Sequence, residues 1–300
     1  MKNIIRTGIV ISAMTLGSIG QSAAQLNPFG AQYFQNRYLA NPSMAALENG
    51  LTFNGGFRQL WSKIPGSPVT NALTAEYRVN RKVGTGIRIV NEGSGLIKTT
   101  RVMGSYAYHL PLDEASRKLH LGLSFGFMNE RLMNEKLDGE QGDITVSRFN
   151  RRETYLDGDF GAAYTADRLE LEVALPNLKT LFAADDNDAV DQGTFYTSAA
   201  YRWTFGEGIN AGTIQPKAAF RGVRGFNNMV DLGVQTTLIN NQLILSGMYH
   251  TSRSATFGFG LDYREFSILG LYSTGTAALR TYTSGNFEIG IRYHMLKNGY

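Results

Sequence analysis

Asp157-Gly158-Asp159 is the segment whose residue types come nearest to chemistry. Residues two apart on a strand share a face, so these carboxylates could hold one proton between them and activate water, as general acid-base catalysis requires. No histidine or serine partner is identifiable beside them, and ion pairing is the reading they support better. The four histidines, His109, His120, His250 and His294, are scattered. His109 and His120 can meet across a hairpin, but two rings without a local carboxylate make a poor zinc site, and all four read as structural or interfacial. Asp185-Asp186-Asn187-Asp188 with Asp191 is rich enough in oxygen to attract calcium. Counted from Asp186, it lacks the glycine at the sixth and the glutamate at the twelfth position that an EF-hand uses, so a solvated external loop is the plainer reading. Cysteine is absent, which removes thiolate metal sites, cysteine nucleophiles and disulfides. Gly84-Thr85-Gly86 runs on to Ile89 where a dinucleotide fingerprint needs glycine. The expectation is a protein that is not an enzyme, with no catalytic residues, no metal and no cofactor.

Nearly all these residues sit within, or between, segments that alternate with period two, the signature of strands with one apolar face. Leu119, Leu121, Leu123, Phe125 and Phe127 oppose Lys118, His120, Gly122, Ser124 and Gly126. Leu51 to Phe57, Leu73 to Val79, Val83 to Ile89 and Val102 to Tyr108 repeat the pattern. Nine more candidates centre on Phe160, Leu171, Tyr201, Ala218, Leu232, Leu245, Phe259, Leu269 and Ile289, which makes fourteen. Glycine at 34 of 300 residues, aromatics at 11%, 7 prolines and a mean hydropathy of -0.20 argue against a collagen-like or disordered chain and for a strand-rich one.

At the start, Lys2 and Arg6 precede an uncharged stretch of small and apolar residues from Gly8 to Gly20, and Ser22-Ala23-Ala24 offers a cleavage site before Gln25. This is the pattern of an export signal, and the apolar stretch of about 13 residues falls short of the about 20 that a spanning helix needs. No later apolar run approaches that length. The formal charge is 29 minus 25, or +4; without Lys2 and Arg6 it is 27 minus 25, or +2, which gives no warrant for a nucleic-acid surface.

An all-β chain of this size is a sandwich or closed barrel in water, or a barrel in the outer membrane with the pattern inverted, its apolar face to lipid and its polar face inward. The polar face carries Arg58, Glu76, Arg88, Arg101, Glu170, Glu172, Lys217, Arg221, Asp231 and Glu288 among many glycines, which suits a hydrated lumen and equally a solvated outer face. Connection lengths add weight, because outer-membrane barrels pair short periplasmic turns with longer external loops. One alternate set contains Asn80-Arg81, Ala166 to Arg168, Ile239 to Asn241 and Arg264-Glu265, with longer members near Pro111 to Arg117 and Gly206 to Thr213; the other contains Leu60 to Pro68, Asn91 to Leu96, Glu130 to Glu153, Pro176 to Gly193 and Thr274 to Gly285, with short members near Gly222 and Thr251. The expected fold is an all-β, transmembrane, antiparallel up-and-down β-barrel of about 14 strands in a Gram-negative outer membrane, with both termini periplasmic. Residues 1–24 are expected to be the signal peptide and 50–300 the barrel. Residues 25–49 lack clean periodicity and are expected to plug the lumen or reach a periplasmic partner.

Near the mature start stand Gln32-Tyr33, Asn36 and Asn41-Pro42-Ser43, then Phe57-Arg58-Gln59-Leu60-Trp61 and Gly66-Ser67-Pro68. The first group resembles the N-terminal signature, and the second the aromatic-Arg-Gln-x-Trp element and following Gly-x-Pro, of the PorP/SprF family of type IX secretion and gliding membrane proteins. Lys82 to Gly86, Asn91 to Gly95 (Asn-Glu where the family usually has Asn-Asp), Tyr106-Ala107-Tyr108, Leu121 to Ser124 and Pro176-Asn177-Leu178 extend the likeness, densely to residue 130 and thinly beyond 180. The resemblance implies a non-enzymatic outer-membrane component of a Bacteroidota-type organism. It would support export or surface attachment of cargo carrying a type IX C-terminal signal domain, with secretion machinery, periplasmic ring or peptidoglycan-binding proteins as partners and outer-membrane lipid around it. A passive porin or hydrophobic-compound channel is the alternative. Tyr293 or Tyr300 would supply the terminal aromatic of the assembly signal.

Arg58, Gln59 and Trp61, where the first strand leaves the membrane, read as an interfacial anchor or as a contact surface for cargo or a neighbouring subunit. Asn41 and Pro42, from the N-terminal signature, are further candidates for partner contact.

Overall fold

Alternation becomes an inside-out barrel in the computed structural model, which describes residues 31–61, 66–114, 116–132, 154–179, 194–223, 228–275 and 285–295. Strands are β1 (Leu51–Gln59), β2 (Val69–Arg78), β3 (Val83–Ser94), β4 (Ile97–Pro111), β5 (Lys118–Leu132), β6 (Tyr155–Thr165), β7 (Leu169–Leu175) and β8 (Thr194–Tyr201). They continue as β9 (Trp203–Phe205), β10 (Gly212–Val223), β11 (Met229–Leu238), β12 (Leu243–His250), β13 (Ser254–Tyr263), β14 (Phe266–Ser273) and β15 (Asn286–Met295). Every neighbouring pair is antiparallel, and closure is made where β15 meets β1 and β10 meets β11.

The strands number fifteen as segments and fourteen around the wall. Lys217 pairs with Ala200 and Ile214 with Trp203, a single unbroken register, so β9 continues β8 past an interruption at Arg202. The interruption has a local cause: in that register Tyr201 faces Pro216, which has no N–H to give to the ladder. All fourteen segments read from alternation fall on strands of this wall.

Exposure decides which way the wall faces. On β5, Leu123 is 58% and Phe125 63% exposed, whereas His120 is 2% and Ser124 5%. Apolar side chains outside and polar ones inside is the arrangement that lipid selects, because a hydrocarbon environment rewards the outward Leu and Phe and leaves polar groups to satisfy one another within. Aromatics collect near strand ends, with Phe266 against Tyr293 at 4.7 Å between ring centroids and Tyr201 against Trp203 at 4.7 Å, as amphipathic rings do at a membrane interface.

The two sets of connections lie at opposite ends, as their lengths predict. One departs from the reading: β3 runs to Ser94 and β4 starts at Ile97, so the expected loop Asn91 to Leu96 shrinks to a turn at Gly95-Leu96. Asn91 pairs with Thr100 and Glu92 with Thr99, since ladder bonds between backbones continue where the side chains no longer alternate in polarity. Most of the loop Glu130 to Glu153, Asp185 to Asp191 and Tyr300 lie outside the described residues.

Candidate functional site

The lumen is not left to water. Residues 31–48 run through it as a plug made of a 3-10 turn (Gln32–Phe34), one helical turn α1 (Arg37–Ala40) and a second 3-10 turn (Pro42–Met44). Such short pieces are unstable alone and depend on tertiary partners. Their caps are written locally. Asn36 Oδ1 accepts from Leu39 N at 3.1 Å, and Asn41 Oδ1 accepts from Ser43 N at 3.0 Å and Ser43 Oγ at 2.8 Å, with Pro42 at the first position of its turn.

The plug is fixed to strands on all sides of the barrel. Ala31 N donates to Glu288 Oε2 at 3.1 Å, Tyr33 OH to Asp231 Oδ2 at 3.3 Å, and Gln35 Nε2 to Ser267 Oγ at 3.1 Å. Asn36 Nδ2 donates to Thr74 Oγ1 at 3.1 Å, Arg37 Nη1 to Glu170 Oε2 at 2.6 Å, and Ala46 N to Glu76 Oε2 at 2.8 Å. Wall residues donate in return, Arg88 Nη1 to Leu39 O at 2.9 Å and Arg78 Nη1 to Ala46 O at 2.8 Å. Gln32 straddles the seam between first and last strands, its Nε2 donating to Phe57 O at 3.3 Å and Ile289 O at 3.4 Å. The Tyr38 phenol shares a hydrogen bond with Ser105 Oγ at 2.7 Å.

Two wall glycines are where plug and barrel come closest. A Cβ on Gly122 would stand 2.5 Å from Ser43 Cα, and one on Gly161 would stand 2.9 Å from Pro42 Cδ. Gly122 and Gly161 are register partners on β5 and β6, so together they form a flat shelf on which Asn41-Pro42-Ser43 rests. On the other side, Tyr33 and Phe34 stack at 5.5 Å and pack toward a lumen-facing apolar patch of Ile244, Met248, Leu269 and Leu271. That patch is why 243–245 and 268–272 read as continuous apolar runs rather than as clean alternation.

The inward charges pair in layers. Asp159 is bound by Arg88 and, at 2.6 Å, by Arg101, which also reaches Asp157 at 3.2 Å. The backbone amides of Asn177 and Lys179 donate to Asp159 Oδ1 and Asp157 Oδ1 at 3.0 and 3.1 Å. The two carboxylates proposed for water activation are thus engaged by guanidiniums and amides, and their observed use is structural. Lys217 pairs with Glu172 at 2.8 Å, and Arg221 with Asp231, which also holds His250 Nδ1 at 2.6 Å. Replacing Arg88 with Met strips Asp159 of its most buried cation, and breaking such a pair typically costs ~3–5 kcal/mol. We expect a clear fall in the temperature at which the folded band is lost in detergent, with Asp159→Asn added to Arg88→Met recovering part of it.

His109 and His120 meet as the hairpin reading anticipates, Nδ1 to Nδ1 at 2.7 Å. Ala45 O, which only accepts, lies 3.1 Å from His109 Nε2, so that nitrogen carries the proton. For neutral rings, His109 Nδ1 then accepts from His120 Nδ1, and His120 Nε2 accepts from Thr165 Oγ1 at 2.8 Å. Among the described residues no group of three or more His, Cys, Asp or Glu gathers in a metal-holding arrangement.

The named candidate residues do not form one surface. Arg58 points inward, 6% exposed, with Nε 3.4 Å from Glu288 Oε1, while its neighbour Gln59 takes the opposite face. Trp61 lies beyond the strand with a left-handed φ of 48°, its N donating to Asn286 Oδ1 at 3.2 Å. Asn41 and Pro42 are buried in the plug, where Asn41 Nδ2 lies 3.3 Å from Glu172 Oε2 and 3.3 Å from Ala162 O. Within residues 31–48 themselves, the asparagine caps Asn36 and Asn41 in an otherwise aperiodic stretch are a legible sign of their role as the organising contact of the lumen.

A family model described as "Type IX secretion system membrane protein PorP/SprF" matches residues 22–293. No curated protein matches the sequence. Among solved structures, the CymD monoaromatic hydrocarbon channel superposes with a TM-score of 0.51 at 11% identity, covering 93% of this chain and 96% of that one. The Acinetobacter baumannii outer membrane protein Omp33 gives 0.48 at 9% identity, covering 83% and 100%. The CymD likeness is one of fold, an outer-membrane barrel.

Proposed function

Because the chain belongs to the PorP/SprF family of type IX secretion system membrane proteins, we propose that it serves that system from the outer membrane as a docking component, without covalent chemistry of its own. It would support export or surface attachment of cargo with a type IX C-terminal signal domain, in a Bacteroidota-type cell. The observation that carries the reading is the plug: twelve plug residues from Gln32 to Ala46 are buried and their polar groups are tied to the wall, so the lumen is filled by the chain's own segment. Passage of solute through the middle is therefore disfavoured, and work falls to the two faces and the rim. On this reading residues 1–24 are a removed leader, 25–49 the plug and 50–300 the barrel. Gln59 and Trp61 stand at the long-connection rim, where a partner could meet them, and Arg58, Asn41 and Pro42 act from within by holding the plug. The C-terminal end of β15 would face the periplasm, where ring or peptidoglycan-binding partners are found.

Deletion of the coding region in the native host, followed by quantification of type IX cargo on the cell surface, tests this. Loss of one or more surface cargoes, restored by the intact chain, is expected, together with machinery or cargo co-purifying from native membranes. Unchanged display and no co-purifying protein would sink the reading.

A further inference from the structure

We infer that the plug is threaded through the barrel, entering at the outer, cell-surface end at Ala31 and running through the lumen to the short-turn end before the first strand forms. The inference rests on the outer-membrane reading above for the direction of the membrane, and on geometry for the rest.

Ala31 lies at the end of the barrel that carries the long connections. Its N donates to Glu288, two residues from the start of β15, and it shares a small cavity with Arg58, Met229, Ser252, Ser273 and Asn286, all at that end of their strands or in the turn between them. The other end of the plug lies at the short turns. Arg78 Nη1 donates to Ala46 O, Arg78 N lies 3.0 Å from Gly50 O, and Glu48 meets Arg292 at 2.6 Å. Between those points the plug drops early, from Tyr33 at Asp231 to Gln35 at Ser267, the register partner of Arg292, and its later residues stay in the middle and short-turn half of the lumen, with Tyr38 at Ser105 and Ala45 O at His109 Nε2. The direction of the plug is therefore opposite to that of β1, and Ala31 and Met295 stand at opposite ends. This departs from the expectation that both termini share the periplasmic side.

Long connections of such barrels face outward and short turns face the periplasm. Ala31 therefore has the outer end as its place, and the path through the lumen to the short turns is taken by residues 31–48. The plug also touches both strands of the β1–β15 seam through Gln32.

The absence of native cysteine makes the test direct. Asn27→Cys and, as the opposite-end control, Tyr300→Cys are expressed in the full chain, and whole cells are treated with a membrane-impermeant maleimide before or after the outer membrane is permeabilised. A parallel chain carries a flexible epitope inserted between Gln25 and Leu26, long enough to clear the rim. The expected result is that Asn27→Cys or the epitope reacts equally on intact and permeabilised cells, whereas Tyr300→Cys is silent until permeabilisation. If both N-terminal probes also wait for permeabilisation, the threading is overturned. If Tyr300→Cys reacts on intact cells, the assumed direction of the barrel is overturned, and with it the outward placement.

Discussion

Deleting residues 31–48 turns a silent barrel into a conducting one. In a planar bilayer the intact chain is expected to give no discrete channel steps, and the deletion to give long-lived openings of uniform size. The wall keeps its ladder in the deletion, because strand-to-strand bonds do not pass through the plug. What it loses is the inner lining of partners. Glu170 loses Arg37, Asp231 loses Tyr33, Glu288 loses the Ala31 amide and Glu76 the Ala46 amide. Those carboxylates, and the guanidiniums of Arg78 and Arg88 that held plug carbonyls, must then be solvated by water and counterions. A polar ring of mixed sign filled with water carries current with little preference between cations and anions. Should the deletion fail to assemble, Arg37→Ala with Asn41→Ala loosens the plug while leaving it attached, and flickering conductance is then expected. A deletion that inserts and still insulates would mean that something other than 31–48 closes the lumen.

The outward half of each strand was legible in the sequence and the inward half was not, for a physical reason. Lipid accepts only apolar side chains, so Leu121, Leu123, Phe125 and Phe127 can be assigned to the outside from alternation and inversion alone. The inner face answers to whatever fills it, and Arg88, Asp159 or Glu172 would be equally at home beside water, beside one another or beside a plug. Glycine carries the same ambiguity: Gly122 and Gly161 look like relief of curvature until Asn41-Pro42-Ser43 is seen against them. Two signs were available. Arg58, Gln59 and Trp61 were read as one patch, although period two places Arg58 and Gln59 on opposite faces whatever the environment. The apolar run Ile268-Leu269-Gly270-Leu271-Tyr272 leaves apolar groups on the inner face of β14, where only a nonaqueous neighbour such as Tyr33 and Phe34 suits them. The mean of the pattern placed the strand centres correctly, and the exceptions to it marked where the plug sits.

Gly122→Val, alone or with Gly161→Val, is expected to unseat the plug without disturbing the outer wall. Valine suits strands, so propensity alone would predict neutrality or gain at either position. The added branches instead meet backbone atoms of Pro42 and Ser43 at Gly122, and the Asn41 Oδ1 cap and the rigid Pro42 ring at Gly161, across strands whose register is fixed by β4 and β6 on one side and β5 and β7 on the other. Overpacking in a filled interior costs ~1–3 kcal/mol per site, more where backbone must move. Release of the plug avoids that cost but leaves Glu172 without Asn41 and Glu170 without Arg37, so neither response is neutral. The measurement is twofold, the temperature at which the folded band disappears in detergent and the conductance in a bilayer. A lowered transition with conductance still absent means that strain is held in place, and an appearance of channel steps means that the plug has let go. Gly104→Val is the matched control, since Gly104 faces lipid and its nearest neighbour for a Cβ is Phe125 O at 3.9 Å. If Gly122→Val and Gly104→Val behave alike in both measurements, the shelf under Asn41-Pro42-Ser43 does not hold the plug, and its grip lies in the polar contacts alone.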